Sequence, residues 1–485
     1  LNPSFRLVKK VVLLDQAGEG VSPTLEREKL LYLSELQEMG HQYGEVHGDL
    51  FEGLASSIRP EDDLTIIYTS GTTGEPKGVL TTHGHYLYMI DAVIAAVPST
   101  DQDVNLQFLP FAHSFGRLEH FMVVAKGYTC GFARSPETLA KDFINIRPTL
   151  LFSVPRVYEN AYDRIRSRVA ASSAFKRLLF RCGVFFGQRF SRNLSEGRKI
   201  PLGLRIGHHL AQQLVFSKIH STFGGRFRLA ISGGAPLAPE IAEFFHSLGI
   251  LILEGYGLTE TSTVSHVNRL DRFSFGTVGL PFQGVECRIG AGGEILLRGP
   301  GIFKGYYRDP EGTRAVIDED GWFHTGDVGE IDKGGYLRIT DRKKDLIVTS
   351  GGKNIAPQAI ENVLMTDPLI SQVMVFGDRQ KHLLALITLK QDRIMEWGKH
   401  RGLNFSNPEE MISHPQVLAL VKERIRQKNK ELATFETVRN FRIISHEFSV
   451  EREELSPTLK LRRRFVMDRY SDIIKEMVGK ARLDV

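Results

Sequence analysis

Short apolar runs that end in Gly, Pro or Ser alternate with stretches of helical spacing along most of the chain. The runs are "LTIIYT", "NLQFLP", "TLLFSVP", "RFRLAISGG" and "GILILEGYG". Runs of this length, closed by turn residues, suit buried parallel strands whose C-terminal ends carry functional loops. Helical spacing follows at 83–97, and again at 238–248 after the start signal "APLAP". "LVKKVVLLD", near the first residue, predicts a buried strand. The class is α/β.

The texture changes near Cys287. "CRIGAGGEILLRGPGIFKGYY" and "GGYLRITDRKKDLIV" are Gly-punctuated β segments, expected to be antiparallel. Beyond Asp341 a smaller unit is predicted. It has a helix at 357–365, strands in "ISQVMVFGD" and "HLLALITLK", a charged helix over 416–432 and a strand in "NFRIISHEF". The division expected is a large domain over 1–341, with a helical insertion over about 160–228, and a small domain over 342–485.

Composition narrows the class of protein. Hydrophobic residues make up 42% and charged residues 25% of 485 positions, a globular balance with no apolar run long enough for a membrane span. Three scattered cysteines form no metal-ligand spacing and read as buried thiols in a reducing compartment. Net charge is only +5, but between Arg164 and Arg228 fourteen Lys and Arg face one acid, Glu196. That is +13 locally, leaving −8 elsewhere. These basic residues are interleaved with apolar ones, so the segment 164–228 is a candidate for peripheral membrane contact, with a solvated helical layer as the plain alternative. No nucleic-acid partner is expected. The location expected is cytoplasmic, with contact at the cytoplasmic membrane face left open.

The chemistry starts at "IIYTSGTTGEPKGV", an apolar lead into small hydroxylated residues, glycines and a lysine. Tested against the Walker pattern GxxxxGK[ST] from Gly71, the second glycine slot holds Pro76 and the hydroxyl slot holds Gly78. The hydroxyl that would hold magnesium is missing, which disfavours an ordinary P-loop. Thr69, Ser70, Thr72 and Thr73, with backbone amides near Gly71 and Gly74, can still wrap polyphosphate oxygens while Lys77 adds charge.

"YTSGTTGEPKG" resembles the signature of the adenylate-forming superfamily: acyl-CoA synthetases, peptide-synthetase adenylation domains and insect luciferases. "LPFAHSFGR", "SGGAPL", "GYGLTET", "TGD", "DRKKDLI" and "SPTLKLRR" follow in the order of that superfamily, so the likeness runs from Ile66 nearly to the C-terminus. "VPRVYE", "SGGKNIAP" and "PTLKL" look most like long-chain fatty acyl-CoA synthetases. The resemblance implies a large domain of stacked α/β subdomains plus a β segment, and a small, mobile C-terminal α+β domain. Only 65 residues precede Ile66, fewer than the family usually has, so part of the N-terminal portion is expected to be missing.

The resemblance also implies roles. A carboxylate attacks the α-phosphorus of ATP, so the site must neutralise two anions and hold them in line. Tyr256 would lie against the adenine, with Gly257, Gly233, Gly234 and Ala235 also on the nucleotide. Thr259 would meet the α-phosphate and Glu260 would hold Mg2+. Asp327 would accept from the ribose hydroxyls with help from Arg342. His113 would stand near the reacting carboxylate, and Lys460 would bridge that carboxylate and the α-phosphate. The family usually has Gly before this lysine, whereas Leu459 stands here. For the second step, transfer to the thiol of coenzyme A, Lys344 is the expected hinge and Gly351 and Gly352 the expected tunnel for the pantetheine arm. The acyl pocket would use Gly233 and Gly234, with Tyr158 at its entrance. His120, His208 and His209 are assigned no metal, and the Arg462–Arg464 run is expected to be solvated.

The activity expected is long-chain fatty acid–CoA ligase, consuming fatty acid, ATP and CoA. A ligase loading a carrier-protein thiol is the near alternative. Such ligases often carry an insertion near the hinge, and "DRKKDLIVTSGGKNIAP" is uninterrupted. A non-catalytic acyl or nucleotide binder is the distant alternative, and a luciferase shares the adenylation motifs.

Overall fold

The apolar runs become strands of one sheet. In the computed structural model, which describes residues 8–14, 30–69, 76–135, 138–350, 353–456 and 460–481, a seven-stranded sheet has the order Leu280–Pro281, His266–Val267, Leu251–Tyr256, Leu229–Ser232, Leu150–Ser153, Val104–Gln107, Thr129–Phe132. The last five are parallel, and the two short strands at the other edge are antiparallel. All residues of 150–153 and 229–232 are buried, as parallel strands covered on both faces require. One face packs against Phe216, Phe245 and Ile241, and the other against Met89, Leu118 and Met122. The expected α/β class holds.

The phosphate-loop segment belongs to a different sheet. Asp63–Thr69 pairs antiparallel with Lys77–Thr82, which also pairs with Gly305–Tyr306. Lys77 therefore opens a strand, whereas a Walker lysine opens a helix. Four antiparallel strands, Glu286–Ile289, Glu294–Arg298, Phe323–Ile331 and Leu337–Arg342, make the predicted β segment.

Beyond Arg342, Ile370–Phe376 and Val438–Ile444 flank Leu383–Leu389. Every residue of 383–389 is buried. Leu383, Ala385 and Ile387 enter one core with Ile360 and Val421, while Leu384 and Leu386 enter another with Val466 and Met477. This is the period-two alternation of a strand covered on both faces. The helix Pro357–Met365 falls where the spacing predicts it.

The segment 160–228 is helical: Pro155–Ala170, Ala174–Ser195, Leu202–Ala211 and Ser217–Thr222, with a π-helical turn at Gln212–Phe216. No helix among the described residues is long and apolar enough to cross a membrane.

The chain divides into two compact units, Leu1–Asp62 and Asp63–Val485. In the first, Val11–Leu13 pairs in parallel with Leu30–Tyr32, and helices Leu33–Val46 and Leu50–Ser57 follow. Neither Val11, Val12 nor Leu13 is buried, so the buried strand expected in "LVKKVVLLD" is a short, half-exposed pairing. Two other expectations are corrected. Cys182 is exposed and Cys130 and Cys287 are only partly covered, so none of the thiols is buried. Arg463 is not solvated: it pairs with buried Glu361 and donates to the Val375 carbonyl.

Candidate active site

Three neighbouring strand ends build the floor of the site. Ser153, Ser232 and Glu254 lie in one register row across the parallel sheet. The chain then leaves the sheet as Val154, as Gly233–Gly234 and, beyond Tyr256, as Gly257–Leu258. Loops at C-terminal strand ends are where open α/β sheets put their ligands. Gly234 has φ of +85°, a conformation that glycine adopts without strain. Gly257 is required by packing, since a Cβ there would lie 2.2 Å from the Thr263 carbonyl oxygen.

Two cavities meet above this floor. One is a slot of about 100 Å³ walled by Val93, Val97, Phe152, Ile231 and Val267. The other is a broad polar cleft that includes Lys77, Ala235, Glu260, Asp327, Arg342 and Lys344. His113, Val154, Gly234, Tyr256, Gly257 and Lys460 line both. The junction is thus polar on one side and apolar on the other.

Charge converges at the junction. Lys460 is brought in from the small region, and its Cε stands 3.9 Å from where a Cβ on Gly234 would be. Burial pushes its ammonium pKa down to about 8, Arg342 pushes the same way, and Asp327 and Glu260 oppose. His113 is held below its usual value by burial and by Lys460, so it is a neutral imidazole at pH 7. Lys344 is also lowered, first by burial and then by Arg342. Asp327 is buried and accepts from the Tyr256 hydroxyl at 2.7 Å, with Arg342 Nε 3.3 Å from its other oxygen. Burial raises its pKa, against the pull of Arg342.

At the other end of the cleft, Lys77 Nζ lies 3.6 Å from Asp309 and 4.7 Å from the centre of the Tyr306 ring. The Tyr306 hydroxyl donates to Glu260 Oε1 at 2.9 Å. Glu260 sits in a single 3₁₀ turn, Thr259–Thr261, and its carboxylate lines the open cleft. Magnesium takes one or two carboxylates and completes its shell from water and phosphate. One cleft-lining carboxylate with an oxygen left over from Tyr306 fits that demand. Among the described residues no group of three or more His, Cys, Asp or Glu could hold a metal unaided.

The expected residues do not all gather. Ser70, Gly71, Thr72, Thr73 and Gly74 of the phosphate loop, and Gly351 and Gly352 of the expected tunnel, lie outside the described residues. Thr69 ends its strand beside Lys77. Thr259 heads its turn but lines neither cavity. Tyr158 is corrected: it lies in the core, donates to the Ile231 carbonyl at 2.9 Å and packs against Phe245. On the Pro155–Ala170 helix it faces the sheet, while Arg156 and Glu159 face the cleft. Two residues were missed. Tyr306 ties Glu260 to Lys77. Glu254 is a buried cleft acid that accepts from the Leu237 amide, and burial pushes its pKa up to about 8, so it is largely neutral at pH 7. No local spacing marks Tyr306. Glu254 stands in the run "GILILEGYG" as an acid inside an apolar strand, which was the available signal.

A parallel sheet whose strand ends carry a glycine floor thus meets a separately cored region that bears Lys460. Residues 6–307 match the family described as AMP-binding enzyme, and 344–482 match its C-terminal domain. The chain belongs to the AMP-binding enzyme family. It is 35% identical over 428 residues to the long-chain-fatty-acid–CoA ligase FadD15 of Mycobacterium bovis, covering 88% of this chain and 71% of that one. It is 34% identical to the peroxisomal long chain acyl-CoA synthetase 7 of Arabidopsis thaliana, covering 88% of this chain and 62% of that one. Among solved structures, the adenylation domain of a carboxylate reductase from Mycobacterium chelonae superposes with a TM-score of 0.66 at 26% identity, over 87% of this chain and 60% of that one. An ATP-bound RpMatB-BxBclM chimera matches with a TM-score of 0.58 at 25% identity, over 86% and 70%.

Proposed function

We propose that this chain is a long-chain fatty acid–CoA ligase that forms an acyl adenylate and then a thioester. The observation that carries the reading is the meeting of an apolar slot and a polar cleft at Lys460, His113 and Gly234. A fatty acid has that same division, an apolar chain ending in one carboxylate. The relatives named as fatty acid–CoA ligases and the ATP-bound structural neighbour support the choice of substrates.

In the first step a carboxylate oxygen bonds to the α-phosphorus, and the bond from that phosphorus to the bridging oxygen breaks. Pyrophosphate leaves with the electron pair. Lys460 neutralises the two reacting anions and holds them together, at a cost already met by its burial. Neutral His113 adds no competing charge beside it. Asp327 orients Tyr256 by accepting a hydrogen bond from its hydroxyl and is assigned the ribose hydroxyls, with Arg342 at its side. Glu260, held by Tyr306, is assigned the magnesium. When bound, that ion would offset charge on the β- and γ-phosphates, together with Lys77. In the second step the thiol sulfur bonds to the acyl carbon, the bond from that carbon to the phosphate oxygen breaks, AMP leaves with the electron pair, and the thiol proton passes to solvent. Lys344 is assigned the hinge that admits the thiol, and the division between the two domains is put at 341/342.

Fatty-acid-dependent ATP–pyrophosphate exchange, followed by a search for acyl-CoA on adding CoA, tests this reading. Absence of exchange with every carboxylate tried sinks it. Exchange with acyl-AMP but no acyl-CoA turns it toward a carrier-protein acceptor.

Peripheral contact with an anionic membrane through 164–228 is a further part of the proposal. Phe175, Leu178 and Leu202 are exposed there among Lys176, Arg177 and Arg205. Sedimentation with anionic and neutral liposomes tests it, and equal absence from both pellets ends it.

A further inference from the structure

The Pro155–Ala170 helix begins at the acyl slot. Val154, the residue before it, lines the slot, and Val154 and Lys460 each come to 3.9 Å of a Cβ built on Gly234. One face of the helix, bearing Tyr158 and Ile165, is buried in the core. The opposite face carries Arg156, Glu159 and Asp163, spaced three and four apart and so stacked in one line.

That line meets the region that carries Lys460. Arg156 donates to the Ser371 carbonyl at 3.3 Å and to the Ser371 hydroxyl at 3.2 Å. Its guanidinium is 3.7 Å from Glu447, which in turn accepts from the Ser371 hydroxyl at 2.7 Å. Glu159 lies 3.5 Å from Arg156. Lys390 pairs with Asp163 one turn further along. Ser371, Lys390 and Glu447 all stand at one end of the three-stranded sheet, since Ile370 pairs with Leu389 and Thr388 with Ile444. The contacts therefore engage the sheet end of the small region and not Lys460 itself. They are also partly shielded from water: the side chains of Arg156 and Lys390 are 25% and 20% exposed. Shielded, bidentate contacts hold geometry better than surface pairs do.

We propose that the polar face of this helix is the grip that holds the lysine-bearing region over the site during adenylation, with Arg156 and Asp163 as positioning residues. The inference rests on the ligase reading for its chemistry. The grip touches no reacting atom. Its effect is the fraction of time that Lys460 spends at the junction, and so it bears on the first step and not on attack by the thiol.

The test uses the whole chain. K390D sets two acids against each other at one contact, and adding Asp163→Lys restores the pair with its signs exchanged. K390D is expected to slow single-turnover acyl-AMP formation about tenfold. Thioester formation from supplied acyl-AMP stays at the parent rate, and the exchanged pair recovers most of the loss. Equal loss in both steps, no loss, or no recovery overturns the grip. If the parent chain itself makes no acyl-AMP, the ligase reading falls, and small-angle X-ray scattering decides the grip alone. The radius of gyration must then rise in K390D and return in the exchanged pair; an unchanged radius overturns it.

Discussion

The seven-stranded sheet and the three-stranded sheet are built alike and used differently. Both are covered on two faces, and strands in each are buried at every residue. The larger one presents three adjacent strand ends to the site, and their shape is set by backbone: a glycine with φ of +85° at Gly234 and a close approach at Gly257. The smaller one presents nothing from its strand ends but a grip. Its contribution to the chemistry is a single ammonium, carried on a loop outside the sheet. Shape is thus fixed in one body, and on the proposed reading one of the charges that the reaction needs is delivered by another.

Removing the delivered charge tests this contrast most severely. Lys460→Ala is expected to reduce ATP–pyrophosphate exchange by at least about a hundredfold, while thioester formation from supplied acyl-AMP persists. Loss of both to the same extent would merge the two bodies into one role. On the fixed side, Asp327→Ala frees Tyr256 and Arg342 together. It is expected to raise the KM for ATP about tenfold with little change in the KM for fatty acid, as read by initial rates.

The pH profile sharpens the comparison without a change of shape. Lys460 is cationic below its pKa of about 8 and neutral above it. The kcat/KM for adenylation should therefore be level below that value and fall about tenfold per unit above it. Lys460→Arg keeps its charge at high pH, so whatever activity it retains should lack the alkaline limb. Tyr306→Phe, which removes one hydrogen bond and leaves the ring under Lys77, has a smaller effect. The dissociation constant for ATP with Mg2+, measured by calorimetry, should rise roughly threefold, and that for ATP without the metal should not.

How much of this was legible in the sequence follows from the range of the interactions. The parallel strands could be read because each is a local run of apolar residues closed by a turn. The helix at 357–365 could be read from its periodicity, and the strand alternation of 383–389 was hidden only because both faces are buried. Lys460, Asp327 and Glu260 were singled out by motif, and all three line the polar cleft. Tyr158 went the other way. The motif "VPRVYE" marks a helix near the acyl slot, but which side chain faces the slot depends on rotation about the helix axis, and Tyr158 is turned into the core. Tyr306 was illegible because Lys77 is brought to it only by pairing of the 305–306 strand with the 77–82 strand, and Glu260 only where the Phe303 amide donates to the Glu260 carbonyl. Arg463 looked like one of a solvated basic run because Glu361, its buried partner, is distant in sequence.

Asp309 has a consequence for turnover. Its carboxylate caps the short helix that follows by accepting from the Gly312 amide, and also stands 3.6 Å from Lys77. The end of the cleft proposed for pyrophosphate therefore has a resident counter-ion. On that proposal an arriving triphosphate would exchange one anion for another at Lys77, and a departing pyrophosphate would leave the lysine with a partner already at hand. Exchange of this kind weakens the hold on substrate and product alike, which favours an enzyme that must let go of a tightly charged product. Asp309→Asn keeps the cap and removes the rival charge. Pyrophosphate should then inhibit two- to fivefold more strongly, on the order of what a half-exposed ion pair is worth.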